Sequence, residues 1–142
     1  MFVIDCDPLR LDVGLVHRWL SEESYWARGV PRAVLERALQ HSLCFGAYRD
    51  GDQVGFARAV TDRATFAYLA DVFVLPEARG RGCARALMDA VVAHPDLQGL
   101  RRFALATRDA HALYARYGFT ALARPETFME CYRPAVYASE PS

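Results

Sequence analysis

The first forty residues of the chain place hydrophobic side chains at helical spacing after one short apolar run. Residues 2–6 predict a short strand, and Asp7 with Pro8 then supply the cap and first turn of a helix. The apolar positions of that helix are Leu9, Val13, Val16 and Leu20. A second helix is predicted after Pro31, and its apolar positions are Val34, Leu35, Ala38 and Leu39.

From residue 43 the pattern of apolar positions changes to that of a sheet. Residues 43–49 and 54–60 predict two strands joined by a hairpin turn at residues 50–52. Residues 65–74 predict a longer third strand. The helical period returns over residues 83–93, where one face carries Ala84, Leu87, Met88 and Val91.

The last part of the chain predicts a return to the sheet. Residues 102–107 predict a strand, Asp109 caps a short helix through Tyr117, and Gly118 ends that helix. Two closing strands are predicted at residues 119–122 and 127–132. This order predicts an α/β domain with a mostly antiparallel central sheet, helices on both faces and one right-handed strand–helix–strand crossover.

Composition restricts the class of protein more than its function. The 142 residues suit one domain, and 53% hydrophobic with 24% charged residues is typical of a soluble globule. Seventeen basic and seventeen acidic side chains cancel, so no overall field favours nucleic acid or an anionic membrane. Four separated cysteines favour free thiols, and no apolar run approaches a membrane span. We expect one cytoplasmic domain over residues 1–142, with a loose tail at 138–142.

The most informative segment is the turn between the third strand and the next helix. Residues 79–85 read Arg-Gly-Arg-Gly-Cys-Ala-Arg, two glycines among three arginines. Because the first N–H groups of a helix are unpaired and glycine allows close approach, this pattern indicates a phosphate site. The segment lacks the Gly-Lys-Ser/Thr ending of a Walker loop and the third glycine of a dinucleotide fingerprint. A different phosphorylated ligand is therefore expected.

This segment resembles the acyl-CoA signature of the GNAT superfamily of N-acetyltransferases, in which Arg-Gly-x-Gly-x-Ala follows a strand ending in Val-x-Pro. Residues 107–119 resemble a later motif of that superfamily, where an alanine, then Leu113-Tyr114 and then Gly118-Phe119 have this spacing. The resemblance covers about residues 43–132. It implies an acyl-CoA-binding core there, with the helices of residues 1–42 shaping the acceptor site.

The resemblance also implies how the cofactor is held. The pyrophosphate would lie on the backbone N–H groups of residues 81–85, with charge from Arg79 and Arg81. The pantetheine arm would pair with a strand edge exposed where two strands splay apart, and Val74 N–H would donate to the thioester oxygen. The cofactor-binding residues predicted in this way are Val72, Phe73, Val74, Arg79, Gly80, Arg81, Gly82, Cys83, Ala84, Arg85, Thr107 and Ala110.

Two residues are predicted to be catalytic. Tyr114 would protonate the departing thiolate, because a tyrosine pKa near 10 and a thiol pKa near 8.5 almost match. The alternative is a packed helix aromatic. Asp71 would take the proton of the attacking amine, and its alternative is a structural ion pair. Family members often carry a carboxylate where Ala70 stands and an asparagine where Thr107 stands, so both positions depart from the pattern.

The predicted acceptor pocket is aromatic, and no metal site is expected. Tyr25, Trp26, Phe66 and Tyr68 are the predicted substrate-binding residues, although each also suits core burial. The four histidines are scattered singly and have no metal-binding spacing.

The sequence therefore predicts transfer of an acetyl group from acetyl-CoA to a primary amine by direct attack. The alternatives are transfer of a longer acyl chain and a non-catalytic acyl-CoA sensor. The predicted partner is a small-molecule or peptide amine, with neither nucleic acid nor membrane, and a homodimer is usual for small members that the chain resembles.

Overall fold

The computed structural model describes residues 1–138 and contains one five-stranded sheet. The strands, in spatial order, are β1 (Val3–Asp5), β2 (Leu43–Arg49), β3 (Asp52–Thr61), β4 (Phe66–Val74) and β5 (Arg102–Leu105). The helices are α1 (Val13–Glu22), α2 (Arg32–Gln40), α3 (Cys83–Ala93) and α4 (His111–Ala115). Neighbouring strands pair antiparallel from β1 to β4, and β4 pairs parallel with β5. The predicted α/β fold with a mostly antiparallel sheet is confirmed.

Hydrophobic side chains bury both faces of the sheet. On one face, α3 contributes Leu87, Met88 and Val91 to a cluster that includes Phe45. On the other face, α1 and α2 close a second cluster, in which the buried residues are Val16, Leu20, Val30, Leu35, Cys44, Phe56 and Phe73. The helices therefore lie on both faces, as the apolar pattern predicts.

The first helix begins later than the sequence pattern predicts. Asp7 accepts a hydrogen bond from Leu9 N–H at 3.0 Å, but this cap opens only a 3-10 turn over Pro8–Arg10. Asp12 then caps α1 by accepting from Leu15 N–H at 3.0 Å. The prediction that Leu9 belongs to the apolar face of α1 is wrong, because the second cap restarts the chain and leaves Leu9 94% exposed.

The two predicted closing strands are absent from the described residues. Residues 119–122 and 127–132 have no strand partner, and a 3-10 turn over Pro125–Thr127 separates them. The free edge of β5 is only four residues long, and residues 120–136 are exposed. The alternating apolar residues of this segment therefore have no sheet face against which to be buried. The last helix is also shorter than predicted and begins at His111. Of the predicted tail, residues 139–142 lie outside the described residues.

Candidate active site

An irregularity in β4 opens the sheet. The pairing of β3 with β4 shifts between Phe56 and Arg58, which leaves Asp71 and Val72 of β4 opposite a single residue of β3. Asp71 has a φ of 57°, a left-handed conformation that aspartate tolerates better than branched residues do. A bulge of this kind bends its strand and increases the local twist.

Beyond the bulge, one edge of β4 has no strand beside it within the described residues. The pairing with β5 ends at Leu69 and Leu105, whereas β4 continues to Val74. Leu75 N–H donates to the Val54 carbonyl of β3 at 2.8 Å. Because successive N–H groups of a strand face opposite edges, Val74 N–H faces the open side. Such an edge can accept an amide-containing chain as if it were another strand.

The turn after β4 presents bare backbone at the start of α3. Gly80 and Gly82 have φ angles of 77° and 86°, and a Cβ built on either would meet no atom within 4 Å. The first helical hydrogen bond is donated by Ala86 N–H to Gly82 at 2.9 Å. The N–H groups of residues 83–85 therefore have no acceptor within the helix, and they lie at the positive end of its dipole.

A cavity of about 690 Å³ lies against this turn and is called the cradle cavity below. Its lining residues are Val74, Arg79, Gly80, Gly82, Cys83, Ala84, Arg85, Ala112, Leu113 and Arg116. Arg79 Nε donates to the Val74 carbonyl at 2.9 Å, which holds this guanidinium between the turn and the open strand edge. Arg81 is exposed and is not among the residues that line the cavity.

A second cavity, about 760 Å³ and here called the aromatic cleft, lies beside the bulge. Its polar and aromatic lining residues include Tyr25, Trp26, Arg58, Tyr68, Asp71, Thr107, Arg108, Asp109, Tyr114, Glu130, Tyr132 and Tyr137. Val72 lines this cleft, whereas Val74 lines the cradle cavity. The open edge of β4 therefore runs from one cavity to the other.

Tyr114 reaches the aromatic cleft from α4. The residue is 8% exposed, and its ring packs edge-on against Phe119 with centroids 6.1 Å apart. Within residues 1–138 the tyrosine hydroxyls that form hydrogen bonds are those of Tyr25 and Tyr117, so the Tyr114 hydroxyl has no partner there. Burial raises the pKa of Tyr114, and Tyr25 and Asp109 add to the effect. The phenol is therefore neutral at physiological pH and has a proton to donate.

Asp71 is enclosed by two donors. Trp26 Nε1 donates to one carboxylate oxygen at 2.7 Å and Arg58 Nε donates to the other at 2.8 Å. The Asp71 side chain is only 7% exposed, and Arg58 continues the network to the Ser42 hydroxyl at 3.0 Å. These contacts favour the structural alternative, because accepting a proton would break a buried, charge-assisted pair.

The comparison with known proteins agrees with this geometry. The sequence profile of the Acetyltransferase (GNAT) family matches residues 13–119, more than half of the chain. The chain belongs to the GNAT family. The matched residues begin in α1, beside the aromatic cleft, and end at the Gly118-Phe119 pair.

Individual acetyltransferases are also similar to this chain. A candidate acetyltransferase of the GNAT family from Xanthomonas campestris pv. campestris is 60% identical, with a TM-score of 0.96 and 98% of each chain covered. FG08082 of Gibberella zeae, a candidate acetyltransferase, is 34% identical over 137 residues, covering 81% of this chain and 76% of that protein. A predicted acetyltransferase from Clostridium acetobutylicum, in a structure with acetyl-CoA, has 17% identity, 93% and 96% coverage and a TM-score of 0.62, and shows the fold alone.

The other site residues predicted from the sequence lie in different parts of the structure of this GNAT chain. Thr107 and Ala110 line the aromatic cleft, but the Thr107 hydroxyl already accepts from Ala110 N–H at 3.1 Å. The Phe73 ring is buried in the cluster under α1 and α2, stacked on Trp19 at 4.4 Å, so only its backbone can serve the open edge. Phe66 lies at the other end of β4, paired with the first residue of β5, and lines neither cavity.

Five charged residues of the two cavities were not predicted as site residues from the sequence. They are Arg58, Arg108, Asp109 and Glu130 in the aromatic cleft and Arg116 in the cradle cavity. Arg116 follows Ala112 by four residues and Leu113 by three, so the three side chains share one face and line one cavity.

The described residues hold neither a metal-binding cluster nor a membrane-spanning helix. Among residues 1–138, no three His, Cys, Asp or Glu side chains are grouped so as to hold a metal ion. The same residues include no helix with the length and apolar character needed to span a bilayer.

Proposed function

We propose that this GNAT chain transfers the acetyl group of acetyl-CoA to a primary amine by direct attack. The observation that carries the proposal is the open edge of β4, which joins the cradle cavity to the aromatic cleft where Tyr114 lies. A pyrophosphate at one end and a reacting thioester at the other would match this arrangement.

The residues of the cradle cavity fit acetyl-CoA. Unpaired N–H groups, two glycines without a Cβ and the guanidinium groups of Arg79, Arg85 and Arg116 provide donors for a pyrophosphate. In support, fold neighbours of this chain include the Clostridium protein with acetyl-CoA and Rv2747 of Mycobacterium tuberculosis in complex with CoA. Bound acetyl-CoA would supply an activated acetyl group and a thiolate leaving group.

The chain's own residues would position this chemistry. Val74 N–H is available to the pantetheine arm, since Val74 lines the cradle cavity. Val72 lies two residues earlier on the same extended edge and shares the aromatic cleft with Tyr114. We therefore assign the thioester oxygen to Val72 N–H rather than to Val74, because the donor must lie beside the group that protonates the thiolate.

Tyr114 would hold the proton that the thiolate requires. Its unpartnered hydroxyl is free to donate, and burial keeps its pKa above the ordinary value for tyrosine. Asp71 would hold Trp26 and Arg58 in place, since both of its carboxylate oxygens are occupied.

The test is a turnover assay on the purified chain with acetyl-CoA and a panel of primary amines. Release of free CoA thiol, together with the acetylated amine detected by mass spectrometry, would support acetyl transfer. Saturable acetyl-CoA binding without thiol release would instead support the acyl-CoA sensor. Faster turnover with longer acyl-CoA thioesters would show that the acyl donor is not acetyl-CoA. Failure to bind any CoA would reject acetyl transfer, longer-chain transfer and the sensor alike.

The same proposal includes a cellular setting and an assembly. We place the reaction in the cytoplasm, where the free thiols of all four cysteines would stay reduced. We also propose a homodimer, because Leu122, Phe128 and Met129 expose apolar surface on one segment. Light scattering on the purified chain distinguishes a dimer from a monomer.

A further inference from the structure

The aromatic cleft contains one carboxylate that the network around Asp71 does not use. Glu130 lines the cleft from the exposed C-terminal segment. It forms no ion pair in the described part of the chain. A carboxylate in this position is therefore free to bind a cation that enters the cleft.

The two guanidinium groups of the cleft contact residues other than Glu130. The Arg58 guanidinium is paired with Asp71 at 2.8 Å. The Arg108 guanidinium lies over the Tyr25 ring, with its central carbon 3.8 Å from the ring centroid. The lining carries three carboxylates against two guanidinium groups, namely Asp71, Asp109 and Glu130 against Arg58 and Arg108. The cleft thus has one more negative charge than positive.

Aromatic side chains surround the same space. Tyr68, Trp26 and Tyr132 line the cleft and are 38%, 41% and 72% exposed, so their rings are accessible to a ligand. Burial raises the pKa of Tyr68, and the charges of Asp71 and Glu130 raise it further. Ring faces attract ammonium groups and pack well against apolar chains.

We propose that the acceptor is a cationic primary amine with an aromatic chain and no carboxylate, and that its ammonium group binds Glu130. This assignment rests on the acetyl transfer proposed above. The ammonium would pair with the carboxylate while the chain packs against the rings. Transfer of its proton to the Glu130 carboxylate would then give the neutral amine that attacks the thioester. An amine that also carries a carboxylate would bring a negative charge towards Glu130 and Asp71, and this repulsion would weaken its binding.

The experiment measures binding as well as turnover. Calorimetry on the full chain saturated with CoA compares 2-phenylethylamine with phenylalanine, which adds only a carboxylate. We expect 2-phenylethylamine to bind more tightly, and Glu130→Gln to weaken that binding about 5–30-fold, the equivalent of one charge-assisted contact. Glu126→Gln is the matched control, because Glu126 is exposed on the same segment, pairs with Arg124 and does not line the cleft.

Each outcome decides the assignment. Unchanged binding in Glu130→Gln, tighter binding of phenylalanine or no binding of either amine would overturn it. If Glu130→Gln does not fold, the salt dependence of wild-type binding decides instead: an ion pair weakens with added salt, and salt-independent binding would count against it. Glu130-dependent binding without thiol release would reject acetyl transfer and leave the role of Glu130 in place.

Discussion

At the scale of single residues, Tyr114 and Asp71 differ in what their polar atoms contact. Tyr114 lines the aromatic cleft, and its hydroxyl has no hydrogen-bond partner in residues 1–138. Both Asp71 oxygens accept short hydrogen bonds, from Trp26 and Arg58. A proton donor needs a free hydroxyl and a structural anion needs partners, so these surroundings support the proposed proton donor at Tyr114 and the structural alternative at Asp71.

Tyr114→Phe is expected to lower kcat about 100-fold or more while acetyl-CoA binding is unchanged, because it removes the proton donor and leaves the ring. Steady-state kinetics and calorimetry measure the two effects. Tyr117→Phe is the control, since that hydroxyl bonds to Asp89 at 2.9 Å outside both cavities. In the wild type, kcat should fall at alkaline pH with an apparent pKa above 10, since the raised pKa delays loss of the proton. Equal kcat in Tyr114→Phe and wild type would remove Tyr114 from the mechanism.

Asp71→Asn is expected to destabilise the fold by roughly 3 kcal/mol, because it leaves the Arg58 charge half-buried without its anion. Asparagine also tolerates the φ of 57°, so the backbone at the bulge is not strained further. Urea unfolding gives the stability change, and kinetics below the melting range give kcat. A kcat near the wild-type value would agree with a structural role, whereas a large loss of kcat at full folding would restore Asp71 as the base.

At the scale of elements, the site depends on where β4 stops pairing and how α3 begins. The bulge at Asp71 and Val72 ends the parallel pairing with β5 and leaves an edge of backbone open. The turn at Gly80 and Gly82 then aims the first N–H groups of α3 into the cradle cavity. Backbone rather than side chains provides much of the predicted cofactor contact.

Gly82→Ala and Gly51→Ala form a matched pair that tests the cradle. Both glycines have a φ of 86°, and a Cβ at either would meet no atom within 4 Å. Each variant should therefore lose a similar free energy of unfolding, about 1–2 kcal/mol. Only Gly82 lines the cradle cavity. We expect Gly82→Ala alone to weaken acetyl-CoA binding, about tenfold or more, through lost charge-assisted contacts. Equal acetyl-CoA affinities in the two variants would show that the cofactor lies elsewhere.

At the scale of the whole molecule, the stability of the fold depends on the ionisation of groups buried in the two clusters that the sheet separates. Cys44 belongs to the cluster under α1 and α2, and burial raises its pKa from 9.0 to about 11. The folded thiol therefore keeps its proton after the unfolded thiol has lost it. Stability from this group is complete below pH 9 and is lost as the pH rises towards 11.

Cys44→Ala should flatten the alkaline part of the stability curve. The wild type is expected to lose about 2–3 kcal/mol more than the variant between pH 9 and pH 11, the equivalent of the pKa difference. Urea unfolding at a series of pH values measures both curves. Buried tyrosines add their own loss above pH 10 in both proteins, so the comparison depends on the difference between them. Parallel curves would contradict this assignment.

The sequence by itself determined the features that depend on neighbours along the chain. Apolar periodicity gave the order of helices and strands through α4, and the glycines between β4 and α3 predicted the cradle because a positive φ and unpaired N–H groups are local properties. The tertiary structure alone decided what meets across the chain. It paired Asp71 with Arg58 and Trp26, brought Arg116 to the cradle and Glu130 to the aromatic cleft, and left residues 119–132 without a strand partner. Such contacts join residues far apart in sequence, and the packing of α1, α2 and α4 on an opened sheet fixes them.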